Sequence, residues 1–312
     1  MEQEYIHRPV LLDECIEGLA IKPDGIYLDG TLGRAGHSRE IARRLETGRL
    51  ICVDRDQAAL DAAQTRLSDW MDRVTLVHSN FCEIDRILDG LNIPAVDGML
   101  FDLGVSSPQL DDKERGFSYM ADAPLDMRMD RSDALTGRTV VNEWPREELR
   151  RIFSQYGEER YAGPIAAAID RRRQEKPIET TLELVDIIKS AMPAHALREK
   201  QHPAKRCFQA IRIAVNDELG AVDKMLQAAV PRLNPGGRLA VISFHSLEDR
   251  IVKNALAGFA RGCTCPPDFP VCVCGKKPVI RLVNRKPILS TPEELEENPR
   301  ARSAKLRVAE KL

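Results

Sequence analysis

The sequence predicts an α/β protein built on a doubly wound parallel sheet. Three observations predict it. First, the apolar stretch Ile26-Tyr27-Leu28-Asp29 runs into the glycine-spaced turn Gly30-Thr31-Leu32-Gly33-Arg34-Ala35-Gly36-His37, and then into the amphipathic segment Ser38–Leu45. Second, a further apolar run, Leu50-Ile51-Cys52-Val53, ends in Asp54. Third, short apolar runs and helical spacings keep alternating as far as Asp102, the rhythm of parallel strands joined by crossover helices.

Glycine in the first turn lets the backbone bend tightly and approach a ligand with no Cβ in the way. An acidic residue roughly 20 positions beyond such a turn is placed to accept a ribose hydroxyl pair, and Asp54 holds that place. On its own the glycine turn is equally consistent with a plain strand-to-helix corner; Asp54 in register favours a nucleoside-bearing ligand. The dinucleotide fingerprint is Gly-x-Gly-x-x-Gly, but here Thr31 stands where its second glycine would fall. An adenosyl cofactor without phosphates, S-adenosylmethionine, fits better.

Taken in order, Val10–Leu19 reads as a short helix, able either to lie over the cofactor pocket or simply to pack. Lys22-Pro23-Asp24-Gly25 is a turn. After Asp54, Gln57–Trp70 has apolar or small residues at helical spacing, Val74–Val77 is the third strand, Glu83–Leu91 a helix and Gly98–Asp102 the fourth strand. The rhythm then breaks. From Ser106 to about Lys205 the chain reads as helical, with periodic segments at Pro145–Tyr156, Glu159–Arg173, Leu182–Met192 and Lys205–Asn216. The expected organisation is therefore a discontinuous sheet domain, residues 1–108 and 209–312, interrupted by a helical domain at 109–208. The sheet resumes after the helix Glu218–Leu233 with Asn234-Pro235-Gly236-Gly237 and the strand that follows. Ser246 and Asp249 are spaced like a capping box. Val279–Val283 and Lys305–Ala309 read as a closing antiparallel pair.

Composition bounds the function. The 312 residues are 43% hydrophobic, enough for a sizeable core, and no apolar run approaches the ~20 residues of a membrane span. The acidic, polar opening Met1-Glu2-Gln3-Glu4 does not resemble a signal peptide, so the expectation is a cytoplasmic protein without a membrane partner. The formal net charge is -2, so nucleic-acid binding would have to come from local patches. Ten Lys/Arg face five acids between Lys276 and Leu312. Arg171, Arg172, Arg173, Lys176, Arg198, Lys200, Lys205 and Arg206 add basic points in the insertion. Such runs are ordinarily solvated faces; around a cofactor crevice they read as a surface for a phosphate backbone.

Asp102-Leu103-Gly104-Val105-Ser106-Ser107-Pro108-Gln109 follows the fourth strand, at the carboxyl edge where doubly wound sheets bind ligands. It resembles the Ser/Asp/Asn-Pro-Pro-aromatic loop of amino-group methyltransferases, with Pro108-Gln109 in place of Pro-aromatic. The lone pair of an aromatic amine is delocalised into its ring, so acceptors that hold its N–H groups orient and strengthen the nucleophile. Asp102, with Ser107 and Pro108 of the loop, is the expected amine-orienting set. Phe81 offers a flat face to adenine. His37 either meets the methionine end of the cofactor or caps its helix, and His245 is a substrate contact or a hydrogen-bonded structural residue. Eight cysteines do not suggest a disulfide scaffold in a reducing compartment. The cluster Cys263, Cys265, Cys272, Cys274 could hold a structural zinc, although Cys-x-x-Cys is the commoner spacing; the chemistry itself calls for no metal.

Several longer motifs resemble one family. Asp29-Gly-Thr-Leu-Gly-Arg-Ala-Gly-His37, Asp102-Leu-Gly-Val-Ser-Ser-Pro-Gln-Leu-Asp111, Tyr156-Gly-Glu-Glu-Arg160, Ser243-Phe-His-Ser-Leu-Glu-Asp-Arg250 and Asn298-Pro-Arg-Ala-Arg-Ser303 are similar to those of the bacterial ribosomal RNA small subunit methyltransferase H family, which modifies cytosine N4. The similarity covers essentially the whole chain. It implies a class I S-adenosylmethionine-dependent methyltransferase, a Rossmann-like doubly wound sheet with an inserted all-helical domain. It also implies a cytosine in the decoding region of 16S rRNA, within the small ribosomal subunit, as substrate. Carried over by motif, the cofactor contacts are Gly33, Ala35, Gly36, His37, Asp54, Phe81, Asp102 and Gln109. Two rival readings stand beside it: a nicotinamide dehydrogenase, and a non-catalytic RNA-binding assembly factor. The oligomeric state is left open.

Overall fold

The computed structural model describes residues 9–312 except 264, 266–268 and 272. By their contacts the residues form two compact units: the chain up to Gly104 together with Leu219–Leu312, and Val105–Glu218. The expected division at 108/109 and 208/209 is displaced at both ends.

The first unit begins with α1 (Leu12–Leu19), β1 (Ile26–Asp29), α2 (Gly36–Arg44), β2 (Arg49–Asp54), α3 (Gln57–Arg66), β3 (Val74–His78), α4 (Ile84–Gly90) and β4 (Val96–Asp102). The helical unit supplies α5 (Ser107–Asp111), α6 (Gly137–Glu143), α7 (Arg146–Gln155), α8 (Ala162–Glu175), α9 (Thr181–Ser190) and α10 (Lys205–Asn216). The chain then returns through α11 (Glu218–Ala229), β5 (Leu233–Ser243), α12 (Ser246–Ala260), β6 (Ile280–Leu282), α13 (Pro292–Glu297) and β7 (Lys305–Lys311).

Among the described residues the sheet has seven strands in the order β3-β2-β1-β4-β5-β7-β6. The first five are mutually parallel, and β7 runs antiparallel to both β5 and β6. This is the sheet of the class I S-adenosylmethionine-dependent methyltransferases. Its central strands are apolar almost without interruption because both faces are covered. Tyr27, Leu50, Cys52, Leu100 and Ile242 meet Cys15, Ile16 and Leu19 of α1, Ile41 and Ala42 of α2, and Leu60 of α3. The alternate residues Leu28, Ile51, Val53, Met99, Phe101 and Val241 meet Ile84 and Leu88 of α4, Met225 and Leu226 of α11, and Val252 and Leu256 of α12.

Two local expectations are corrected here. Asn234-Pro235-Gly236-Gly237 does not precede β5 but lies within it, looping out between the pairs Val96↔Leu233 and Gly98↔Arg238. Gly236 takes φ +78° there, which suits glycine. The helix after β5 is capped one residue earlier than Ser246: His245 Nδ1 accepts the Glu248 amide, and Glu248 in turn accepts the amides of Phe244 and His245. Asp249 is unavailable for capping because its carboxylate pairs with Arg307 at 2.7 Å and Lys305 at 3.2 Å.

The helical unit has its own core, formed by Val140 and Val141 of α6, Leu149, Ile152 and Phe153 of α7, Ile165 and Ile169 of α8, Leu184 and Ile188 of α9, and Cys207, Phe208 and Ile211 of α10. Each such large side chain stabilises the fold by about 1.5–3 kcal/mol relative to exposure. This core explains the displaced boundary, since α10 runs unbroken to Asn216 and its apolar face belongs to the helices. Asn216 is itself buried. Its Oδ1 accepts the Met129 amide at 2.8 Å, and its Nδ2 donates to the Met127 and Arg212 carbonyls, each at 2.8 Å. Replacing Asn216 with Ala strands the buried Met129 amide, a loss of about 1–3 kcal/mol. Amide exchange across α10 should quicken by about tenfold or more; exchange at the wild-type rate would show that Asn216 does not clamp this segment.

Candidate functional site

The residues singled out in the glycine turn are held by the ends of two strands. The Gly30 amide donates to the Leu100 carbonyl of β4 at 2.9 Å, and the Leu32 amide to the Val53 carbonyl of β2 at 3.1 Å. Thr31 Oγ1 accepts the Asp102 amide at 2.6 Å, and Asp54 Oδ2 accepts the Gly33 amide at 2.8 Å. A Cβ on Gly30 would lie 2.2 Å from the Phe101 ring, so only glycine fits. Gly33 and Ala35 both take left-handed φ values, +49° and 57°. The turn therefore leaves β1, crosses to β2 and β4, and delivers the chain to α2.

Three carboxylates end the central strands around this turn. Asp29 of β1 is buried, its Oδ2 accepting Ser38 Oγ at 2.6 Å and its Oδ1 the Thr31 amide at 3.1 Å. Asp54 of β2 is half-buried; its Oδ1 accepts the Asp56 amide at 2.8 Å while Oδ2 takes Gly33. Each carboxylate oxygen has a second lone pair, so Asp54 can still accept ribose hydroxyls. Asp102 of β4 differs: its Oδ1 is enclosed and has no hydrogen-bond partner among the described residues.

Burial dominates the electrostatics. It raises Asp54 to about 6, against the amides of Asp56 and Gly33, with the charges of Asp56 and Asp29 adding to the rise. It raises Asp102 to about 8, helped by the charges of Asp29 and Glu248. Asp29 is raised by the same cause and drawn back by Ser38 and Thr31. Carboxylates raised by burial, and further by one another's charge, favour a cation beside them and disfavour a pyrophosphate. The donor set therefore fits the sulfonium and ammonium groups of S-adenosylmethionine, with Asp54 for the ribose.

The other expected residues fall into place unevenly. His37 is buried on α2, and its Nε2–H donates to the Val10 carbonyl at 3.0 Å. Burial lowers its pKa to about 4, so the ring is neutral, with Nδ1 left as an acceptor. It caps nothing; it ties α2 to the segment before α1, where Pro9 lies so close to Gly36 that a Cβ would meet it at 2.3 Å. Phe81 follows β3, half-buried and edge-on to Phe101 at 5.9 Å between ring centroids. Ser107, Pro108 and Gln109 belong to the helical unit, in α5. Gln109 is buried there, and its Oε1 accepts the Ser106 amide at 3.1 Å in a capping box.

Three participants escaped sequence reasoning: Asp29, Thr31 and Ser38. Asp29 ends β1 directly before the first glycine, a signal that could have been read. Ser38 and Thr31 gave none, since only the fold brings their hydroxyls to Asp29 and Asp102.

The raised carboxylates fix a pH dependence of stability. An unfolded aspartate titrates near ~3.9, below the folded values of about 6 for Asp54 and about 8 for Asp102. Between these limits the two carboxylates bind more protons in the folded chain than in the unfolded one, so their contribution to stability falls as pH rises from about 4 to about 8. His37, lowered to about 4, contributes in the opposite sense below about 6.5. Asp102→Asn should flatten the upper part of that fall in urea unfolding measured at successive pH values. An identical pH profile would show that Asp102 is already ionised near pH 5.

The profile of the MraW methylase family matches residues 4–312. The Ribosomal RNA small subunit methyltransferase H of Paenibacillus sp. (strain JDR-2) is 59% identical over 317 residues, covering 99% of this chain and 100% of that protein. Its namesake from Brevibacillus brevis is 59% identical over 309 residues, covering 99% and 98%. The one from Symbiobacterium thermophilum is 57% identical over 309 residues, covering 99% and 97%. With a profile and relatives that span its length, this chain belongs to the MraW methylase family.

Proposed function

We propose that this chain methylates N4 of a cytosine in the decoding region of 16S rRNA, within the small ribosomal subunit. The names of its relatives specify small-subunit ribosomal RNA; the base, the atom and the region come from the motif resemblance. The observation that carries the chemistry is the enclosed, unpartnered Asp102 Oδ1 beside the glycine turn. The methyl donor is S-adenosylmethionine, which supplies an electrophilic methyl on a sulfonium.

The protein's part is positioning and electrostatics. Asp54 holds the ribose, Phe81 lines the adenine side, and the Gly33–His37 turn presents its backbone to the methionine end. Asp102, once ionised, accepts an N–H of the cytosine amine. The base must be single-stranded or withdrawn from its stack to be reached.

The RNA surface is narrower than the sequence suggests. Arg307 and Lys305 are spent on Asp249, Arg281 on Glu310, and Arg173 on Asp170 and the Val141 and Trp144 carbonyls. In the helical unit, Arg160, Tyr161, His202 and Arg206 line a cleft, and His202 stacks on Tyr119 at 4.6 Å. Aromatic faces beside guanidinium groups suit an unstacked nucleotide; exposed Arg198, Lys200 and Lys205 suit phosphates.

Mass mapping of 16S rRNA should show one cytosine losing a methyl on N4 in cells without the gene and regaining it on complementation; a methyl elsewhere would refute the assignment. Asp54→Ala should weaken S-adenosylmethionine binding by about tenfold or more, about 1.4 kcal/mol, by calorimetry. Asp102→Asn should lower kcat by roughly 10²-fold and abolish a rise of kcat/KM through about pH 8. A loss confined to cofactor affinity would remove Asp102 from the chemistry.

A further inference from the structure

Between α12 and β6 the chain makes an excursion that the methyl-transfer site does not use. Its base is closed by the Val279 amide on the Phe259 carbonyl at 3.0 Å, with the Leu312 amide on the Val279 carbonyl at 3.1 Å. Gly262 lies against Pro278. Beyond that base the described residues form no helix or strand, and they leave Phe269, Val271 and Val273 exposed, at 52%, 69% and 73%. Long excursions without regular structure or core are uncommon in compact domains unless something else orders them. Among the described residues of this one, the large apolar side chains Phe269, Val271 and Val273 are not buried.

Thiols do converge in it. The Sγ atoms of Cys263, Cys265 and Cys274 all lie within 4.8 Å of one another, and those of Cys263 and Cys274 are 3.7 Å apart. A tetrahedral zinc with bonds of about 2.3 Å to sulfur sets its ligands about 3.8 Å apart; a disulfide would need about 2.05 Å. Backbone amides also point at the sulfurs. The Cys265 amide donates to Cys263 Sγ and the Val273 amide to Cys265 Sγ, both at 3.4 Å. Amide donors stabilise thiolate over thiol, and thiolate is the form that binds metal. Gly275, directly after Cys274, takes φ +62°, turning the chain back at the end of the cluster.

We propose that Cys263, Cys265 and Cys274 bind one structural Zn²⁺ as thiolates, cross-linking the start and end of this excursion. A soft, redox-inert cation with no geometric demand beyond a tetrahedron matches three convergent sulfurs. The sequence holds one more thiol in the same stretch, Cys272, which lies outside the described residues; the three suffice for the proposal. Binding releases the thiol protons to solvent and involves no electron transfer. The role is architectural, since the cluster shares no residue with the glycine turn or its carboxylates.

The test uses the untagged full chain, purified under reducing conditions, with metal content measured by mass spectrometry. About one Zn²⁺ per chain is expected, with Cys263→Ser, Cys265→Ser and Cys274→Ser each lowering it about tenfold. Cys82→Ser, on a thiol outside the cluster, should leave the content unchanged. Should the Ser variants fail to fold, Co²⁺ added to metal-stripped wild-type protein decides: thiolate-to-cobalt charge transfer with the visible bands of a tetrahedral ion supports the site. Absence of both zinc and the cobalt bands from reduced protein overturns it. So does zinc that persists in the triple Ser variant, or an iron–sulfur chromophore in place of zinc. None of these readings depends on methyl transfer, so their failure leaves the proposed activity standing.

Discussion

The four hydrogen bonds that hold the glycine turn between β2 and β4 are the constraint on which the site depends. Two are backbone amides on strand carbonyls, at Gly30 and Leu32, and two engage the side chains of Asp54 and Thr31. Parallel strands bring their carboxyl ends to one edge, so any residue ending β1, β2 or β4 must lie near that turn. Here all three are aspartates. Had the turn been free to swing outward, solvent would have reached the carboxylates and their pKa values would stay ordinary. Tethered, it encloses them, and the enclosure does the chemical work.

Enclosure has a cost, since a buried carboxylate with no cation beside it is held protonated or pays for its charge. Asp29 meets that cost internally through Ser38 and Thr31, which makes it a fixed strut. Asp54 meets it with two backbone amides and keeps lone pairs for a ligand. Asp102 has only burial and like charges acting on it. That gradation, from satisfied to unsatisfied across adjacent strands, is what distinguishes a ligand site from a merely acidic strand edge. It also couples the two functions proposed for Asp102: a cation seated nearby favours ionisation, and ionisation makes the oxygen an acceptor.

Much of the fold was legible in the sequence because burial on both sheet faces writes itself as uninterrupted apolar runs, as in Leu50–Val53 and Met99–Phe101. The helical segments around α7 to α10 were legible by their period. What was not legible depended on partners distant in the chain. Asp249 could not be known to serve Arg307 and Lys305, so the cap of α12 was misplaced by one residue. Arg173 reads as a surface charge until its bonds to the Val141 and Trp144 carbonyls are seen. Short α6 offers too few turns for periodicity to register, and the loop inside β5 looks like an ordinary turn because its pairing to Val96 is non-local. At the site, Asp54 was legible from spacing, whereas Ser38 and Thr31 were not.

The motifs that carry the family resemblance divide by physical role. Tyr156–Arg160 is a joint: Glu158 takes φ 50°, a Cβ on Gly157 would lie 2.6 Å from the Arg206 carbonyl, and buried Glu159 accepts the Tyr161 amide at 2.8 Å to open α8. Ser243–Arg250 caps α12 and anchors β7 through Asp249. The Ser106–Gln109 box starts α5, and Asn298 Oδ1 receives the Arg300 amide at 3.2 Å to turn the chain before β7. Asp29–His37 and Asp102 gather carboxylate acceptors at one strand edge, whereas His245 Nε2 and Asn298 Nδ2, also buried without a hydrogen-bond partner among the described residues, stand singly in their motifs. A long motif therefore does not by itself mark a reactive site. Backbone joints that tolerate one residue type constrain sequence as tightly as chemistry does, and acceptors gathered together at one strand edge are what tell the two apart.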